Sequence, residues 1–350
     1  MHRAALTLCV GLLLAGASCG DHATPDAGAT ASTQTVVLYT SADDIFVAQV
    51  VQAFEVETGI EIELVGDTEA TKTTGLVTRL LAERENPRCD VWWSSEPMGT
   101  LLLDEAGVLE PGGMSGAVRP GWPSELIGPD ETWIGFAERG RVIAYAEDRI
   151  GTPPTTLDAL TRPEWSGRVG MARPQFGTTR GHMALLHALW GPELFEDWLV
   201  AMEANGLRLY DGNARVVRAI YEGEIDVGLT DTDDVWVAVA NAWPIGMTFE
   251  TPEAGASFPS PGPTTIPNTV ALVAGAPNPD AARRLAAYLV SPAVERLLAQ
   301  SDSRNIPVDP GLRAEFAHLV PASGPRPDYS DAAPSVSGAM DLCEQVLISP

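Results

Sequence analysis

Between residues 36 and 106, apolar runs of strand length alternate with amphipathic runs of helix length three times over. That alternation leaves the chain few folds. Residues 36–39 are a short apolar strand. Residues 45–57 place Phe46, Val50, Ala53 and Phe54 on one helical face, with Gly59 as the stop. Residues 60–65 alternate Ile60, Ile62 and Leu64 with Glu61 and Glu63, which marks a half-exposed strand. A helix over 69–84 turns Leu76, Leu80 and Leu81 inward, a strand follows at 90–93, and a helix over 97–106 stops at Gly107. Strands joined through helices run parallel, so a parallel sheet with helices on both faces is expected. The pattern recurs with a strand at 168–171, helices over 178–189 and 192–205, an extended run at 207–210, a helix over 214–222 and a strand at 227–229. Between the two blocks, 133–145 alternates like a strand and reads as a hinge crossing. Residues 251–267, rich in Pro, Gly and Ser, read as the return crossing. A strand at 268–275 and helices over 280–289 and 292–300 follow. The expected architecture is α/β with two lobes: residues 35–135 and 265–330 in lobe 1, 136–264 in lobe 2, and 331–350 as a tail or closing helix.

The N-terminus carries an address. A basic start at Arg3, an apolar stretch over 4–14 and small residues over 15–18 are too short for a membrane span and suit a cleaved signal peptide over 1–18. Cys19 follows directly, as in bacterial lipoprotein signals, although Gly16 stands where a leucine-like residue is usual. Lipidation at Cys19 and a flexible polar tether over 19–34 are therefore expected. Cys89 and Cys343 either pair in an oxidising compartment or stand as separate buried thiols. The formal net charge of −25 argues against nucleic acid, whose binding needs Lys and Arg. It is weak support for a cationic ligand.

The candidate site begins at 227–235, Val-Gly-Leu-Thr-Asp-Thr-Asp-Asp-Val. An apolar strand delivers Asp231, Asp233 and Asp234 to the start of a helix. Carboxylates there stand at the C-terminal edge of a sheet, where open α/β proteins bind ligands. Three like charges so close raise one another's pKa unless a cation or donors neutralise them. Capping is the competing reading, because Asp is a favoured N-cap. If capping were all, exchanging the three for Asn would leave the fold intact, since Asn caps as well. Glu96, after the strand at 90–93, is either a ligand or a first-turn glutamate ahead of Pro97. Arg139 and Arg141, two apart on a strand, share one face and point either to the cleft or to an ion pair. Thr178 and Thr179 open a helix after Gly177, and Asn213 opens another; each is an anion contact or a plain cap. Tyr39 and Ser41 end the first strand with hydroxyls that suit a cleft. One of Trp92 and Trp93 is expected in the core and the other toward the cleft, where it would suit an organic cation. No Gly-x-Ser-x-Gly elbow, Walker loop, Gly-x-Gly-x-x-Gly turn or His-Glu-x-x-His helix occurs.

Several segments recur, in order, in one family. They are Val-Val-Leu-Tyr-Thr-Ser at 36–41, Phe-Glu-Val-Glu-Thr-Gly-Ile at 54–60, Asp-Val-Trp-Trp-Ser-Ser-Glu at 90–96, Arg-Gly-Arg-Val-Ile-Ala-Tyr at 139–145, Pro-Glu-Trp-Ser-Gly-Arg-Val at 163–169 and Phe-Gly-Thr-Thr at 176–179. Asn-Thr-Val-Ala-Leu-Val-Ala-Gly-Ala-Pro-Asn-Pro at 268–279, Tyr-Leu-Val-Ser-Pro at 288–292 and Asn-Ile-Pro-Val at 305–308 complete the set. Together they resemble the ferric-iron-binding, or iron(III) transporter, branch of the bacterial solute-binding proteins of ABC importers, over about 36–310. The resemblance implies the type 2 periplasmic binding protein fold, with a cleft and hinge between lobes. In its ferric members a glutamate after the third strand and two adjacent tyrosines hold the metal, joined in some by a histidine near the first strand. Glu96 matches the glutamate. The tyrosine pair is replaced by Asp231-Thr232-Asp233-Asp234, and near Ser41 there is no histidine, only Asp43 and Asp44. Arg139 matches a position that can meet an anion accompanying the metal.

The resulting expectation is a periplasmic, lipid-anchored, monomeric solute-binding protein that catalyses no reaction and carries no cofactor. It captures ferric iron or another hard metal on Glu96, Asp231, Asp233 and Asp234, because hard cations prefer oxygen ligands. Ser41, Arg139, Thr178, Thr179 and Asn213 complete the site, and the cargo passes to an ABC permease in the inner membrane. Closure of the lobes supplies affinity. The alternatives are a polyamine- or thiamine-like organic cation, a small phosphonate or phosphate anion on Arg139, Thr178, Thr179 and Asn213, and a secreted hydrolase using paired carboxylates.

Overall fold

A computed structural model describes residues 34–67, 73–322 and 326–349. The expected signal peptide, Cys19 and nearly all of the tether lie outside the described residues.

The first block folds as the alternation requires: β1 (Thr35–Thr40), α1 (Asp44–Thr58), β2 (Glu61–Gly66), α2 (Thr74–Ala82), β3 (Val91–Ser94) and α3 (Pro97–Glu105). Gly59 ends α1 at φ 69°, a conformation that costs glycine little, and its N–H bonds the Glu55 carbonyl. Strand β1 pairs in parallel with β2 and with β3. The second block is β5 (Val169–Ala172), α4 (Gly177–Ala204), β6 (Arg208–Tyr210), α5 (Asn213–Tyr221), β7 (Val227–Asp231) and α6 (Thr232–Ala240), with β5 parallel to β6 and β7. The two helices expected over 178–189 and 192–205 form one run, broken at Gly191, φ 76°, beside Pro192.

Two long strands join the blocks. Strand β4 (Trp133–Ala146) leaves the first, and β9 (Thr264–Leu272) returns to it; β8 (Ile245–Phe249) pairs beside β4. Among the described residues the strands form one sheet in the order β2-β1-β3-β9-β4-β7-β5-β6. Its outer parts are parallel, as expected, but its centre is antiparallel, because the crossings are themselves strands running in opposite directions. Ile134, Phe136 and Ala137 of β4 sit in the core of the first lobe, whereas Val142, Ile143 and Ala144 sit in the core of the second. Between them the register with β9 shifts, from Phe136 to Arg139, and Ala137 takes φ 42°. One strand thus serves two cores and changes face at a bulge.

Helices α7 (Pro279–Leu289), α8 (Pro292–Gln300) and α9 (Pro310–Glu315) complete the first lobe, each opened by a proline. The end of the chain, α10 (Tyr329–Ala332) and α11 (Val336–Cys343), packs on α4, and α10 also meets α3. Cys89 and Cys343 are separate buried thiols in different cores, not a disulfide. Burial pushes the Cys343 thiol up to about 12.

Candidate functional site

Strand β7 ends at Asp231, and β4 runs antiparallel beside it with Arg141 directly opposite. Arg139 and Arg141 share a face, as their spacing requires, and both reach this carboxylate. Arg141 Nη1 donates to Asp231 Oδ1 at 2.9 Å, and Arg139 Nε to Oδ2 at 3.3 Å. Asn213 Nδ2 donates to Oδ2 at 2.9 Å, and the Thr178 hydroxyl donates to the same oxygen. Burial alone would raise the Asp231 carboxyl. Arg141, Arg139 and Thr178 together hold it below the ordinary aspartate range. Asp231 stands at the N-cap position of α6, yet its side chain makes no cap bond. Capping therefore does not explain Asp231; a buried ion-pair network does.

The neighbouring carboxylates are placed differently. Asp233 lies 3.7 Å from Arg139 Nε, and Asp234 accepts from the Thr230 hydroxyl at 3.2 Å. Asp231, Asp233 and Asp234 each offer an oxygen within 4.8 Å of the others, a spacing that one cation can bridge. They line a cavity of about 100 Å³ together with Asp43, Ser95, Arg139, Thr178, Thr179 and Asn213. Helices α4, α5 and α6 all begin at this cavity, so their N-terminal N–H groups and dipoles offset the clustered acid. Arg139 also donates to the Ser95 carbonyl beyond β3 and so ties the first lobe to Asp231 in the second. Arg173 and Asp211 sit on the rim, paired at 3.2 Å.

Other expected site residues are elsewhere. Glu96 does not line the cavity; it is 1 % exposed and caps α3, accepting from Met98 N at 2.6 Å and Gly99 N at 2.9 Å. Burial raises its carboxyl above the usual glutamate range, against Arg180 and the cap bonds. These are the bonds of the first-turn reading: each oxygen accepts from an N–H of the helix that Glu96 opens. Ser41 is buried too. Its oxygen accepts from Ser95 N at 3.0 Å and from the Thr73 hydroxyl at 3.1 Å, and so fastens β1 to β3. Tyr39 turns to Glu83, 3.1 Å away, with Arg79 over its ring. Trp92 and Trp93 are both buried, hydrogen-bonded to Thr100 and Asn268; Trp92 is core, and Trp93 lines a small cavity with Asp43, Ser95, Arg139 and Asp233.

Two polar groups behind the cavity had no sequence signal. His182 Nε2 lies 3.5 Å from Glu250 Oε1, and among the described residues neither atom has a hydrogen-bond partner. Arg141 Nε reaches His182 Nδ1 at 3.4 Å. Burial lowers the His182 pKa, so the ring is held neutral. These contacts come from β4, α4 and the end of β8, segments far apart in the chain.

A two-lobed sheet crossed by paired strands, with polar groups from both lobes around one cavity, is the arrangement of a solute-binding protein. Residues 36–301 match the model of the family described as bacterial extracellular solute-binding protein, and the chain belongs to that family. It is similar to iron uptake protein A1 of Synechocystis sp., 28 % identical over 304 residues, 85 % of this chain and 82 % of that protein. It is also similar to the Fe(3+)-binding periplasmic protein of Serratia marcescens, 29 % identical over 207 residues, 58 % of each chain. Among solved structures, iron-bound HitA from Pseudomonas aeruginosa superposes with a TM-score of 0.72 at 25 % identity, over 90 % of this chain and 100 % of that one. The Bordetella ferric binding protein gives 0.69 at 26 %, over 89 % and 99 %. The fold is that of the type 2 periplasmic binding proteins.

Proposed function

We propose that this chain captures ferric iron in the cavity between its lobes and delivers it to an ABC permease. The observation that carries this reading is the pair Asp233 and Asp234 on the cavity wall beside Asp231, with one oxygen from each of the three within 4.8 Å of the others. Hard trivalent iron favours such oxygen donors. Relatives named for iron support the choice of cargo. Asp233 and Asp234 act as the metal carboxylates, Asp43 faces them from the first lobe, and Asp231 is the fixed point that Arg139 and Arg141 hold. Glu96 and Ser41 keep the frame rather than the ion. Arg139, Thr178, Thr179, Asn213 and the start of α4 are placed to receive an anion bound with the metal.

In this reading iron is the cargo rather than a resident cofactor, and it leaves unchanged. The chain works as a monomer in the periplasm, held to the envelope by a lipid on Cys19. Among the described residues no helix is long and apolar enough to cross a membrane. The test is titration of metal-free protein with ferric citrate, with elemental analysis after desalting. One iron per chain is expected, together with at least a hundredfold loss of affinity on replacing Asp233 and Asp234 by Asn. Retention of no iron, or unchanged affinity in that double variant, would overturn the assignment.

A further inference from the structure

The polar cavity has an apolar neighbour. A second, half-open chamber, of about 300 Å³, is lined by Phe46 of α1, Val217 and Arg218 of α5, Val237 and Ala238 of α6, and Trp243. Asp43, Ala214, Asp233 and Asp234 line both spaces, so the two share a wall, and that wall carries the carboxylates. Trp243 is fixed in place by stacking on Tyr221, with ring centroids 4.3 Å apart and planes 6° from parallel.

A metal ion and a small oxyanion need only the polar cavity. They have no use for an apolar chamber beside it, since hydrated ions gain nothing from apolar walls. Ligand sites for organic molecules have the opposite make-up: mostly apolar lining with a few fixed polar groups at one side. A cavity of roughly 150 Å³ accepts a benzene ring. This chamber therefore has room for one or two rings.

We infer that the cargo is a ferric complex with a small aryl chelator, its metal at the Asp233–Asp234 wall and its ring in the Phe46–Trp243 chamber. This rests on the iron reading above. Charge selects the complex. A one-to-one complex of Fe3+ with a dianionic catecholate keeps a net positive charge and open coordination positions, which the carboxylates fill. A complex saturated with chelator is anionic and has no open position for the carboxylates, and Asp43, Asp233 and Asp234 outnumber Arg218 on the chamber wall and repel it. The chamber thus selects for partly filled chelates with a flat apolar body.

The test compares two ferric loads on the intact chain: one-to-one ferric catechol and ferric citrate. Ferric catechol is expected to bind at least tenfold more tightly. Val237→Phe, which fills the chamber from a half-buried position, should remove that advantage while leaving ferric citrate affinity unchanged. Trp243→Ala, which removes one wall, should reduce it as well, and circular dichroism confirms that each variant folds. Equal affinity for the two loads in the parent, or an advantage that survives both variants, overturns the inference and leaves iron capture standing. Metal-free catechol binding as tightly as its ferric complex overturns it too. If neither ferric load binds, the iron reading itself fails, and that outcome is distinct from the others.

Discussion

Replacing Asp231 by Asn tests whether the aspartate turn is a set of equivalent caps or a buried electrostatic network. The two side chains have nearly the same shape, and Asn caps a helix about as well as Asp. Reading the turn as caps predicts little change. The structure predicts a large one. Asp231 is 2 % exposed, Arg141 is fully buried, and their atoms meet at 2.9 Å. Losing the charge leaves Arg141 to neutral partners, Thr179 Oγ1 at 3.1 Å, Asn213 Oδ1 at 3.3 Å and His182 Nδ1 at 3.4 Å. Arg139 suffers less, because Asp233 and the Ser95 carbonyl remain. Removing one partner of a buried pair costs about 3–5 kcal/mol, since the other charge stays desolvated. Asp234→Asn is the control: this carboxylate is half-buried, and the Asn isostere keeps an oxygen to accept from the Thr230 hydroxyl, so the exchange should cost no more than about 1 kcal/mol. Urea denaturation followed by circular dichroism measures both. If Asp231→Asn costs under about 1 kcal/mol, the network is not what holds this turn. The exchange of all three aspartates is then as mild as the sequence implied.

Four further outcomes follow from the same contacts. The folded Asp231 carboxyl lies below its unfolded value of about 3.9. Its stabilisation is therefore complete above about pH 4 and is lost as pH falls through the lower folded value, and Asp231→Asn should flatten that acid limb of the stability curve. His182 is held neutral by burial, with an unfolded pKa of about 6.5. Stability should fall as pH drops below about 6.5, and His182→Gln should remove that slope. Trp236 of α6 packs against Ile306, Leu312 and Phe316 of the first lobe, with the Arg304 guanidinium 4.4 Å over its ring. Trp236→Ala should favour the open form by about 2 kcal/mol, roughly half the cost of a fully buried Trp, and X-ray scattering should show a larger radius of gyration. Cys89 and Cys343, buried and with thiol pKa values raised, should resist iodoacetamide in the native protein and react only after denaturation.

What the sequence made legible was whatever periodicity controls. Alternating strand and helix lengths located β1 to α3 and β5 to α6, because those elements bury one face against a neighbour close in the chain. The centre of the sheet was not visible that way. Whether β4 and β9 run parallel or antiparallel depends on partners more than a hundred residues apart, and no local pattern records it. Tyr39 was misplaced for a related reason, whereas Trp92 is core and Trp93 lines a small cavity with Asp43, Arg139 and Asp233. Alternation assigns a side chain to one face of a strand, but both faces of a strand inside a covered sheet are core. The site divided along the same line. Arg139, Thr178, Thr179, Asn213 and the three aspartates were recognisable from strand ends and helix starts, and those features do converge on one cavity. Glu96 had the same credentials and lies outside it, because its carboxylate folds back onto the N–H groups of Met98 and Gly99. Position at a helix start brings a side chain to the sheet edge; the side chain's own competing bonds decide whether it faces a ligand. Asp231 shows the converse. It occupies a cap position, but Arg141 across the strand pair offers a stronger partner than any helix N–H. Which bond forms is settled by the register of β4 against β7, and that register is a property of the folded sheet.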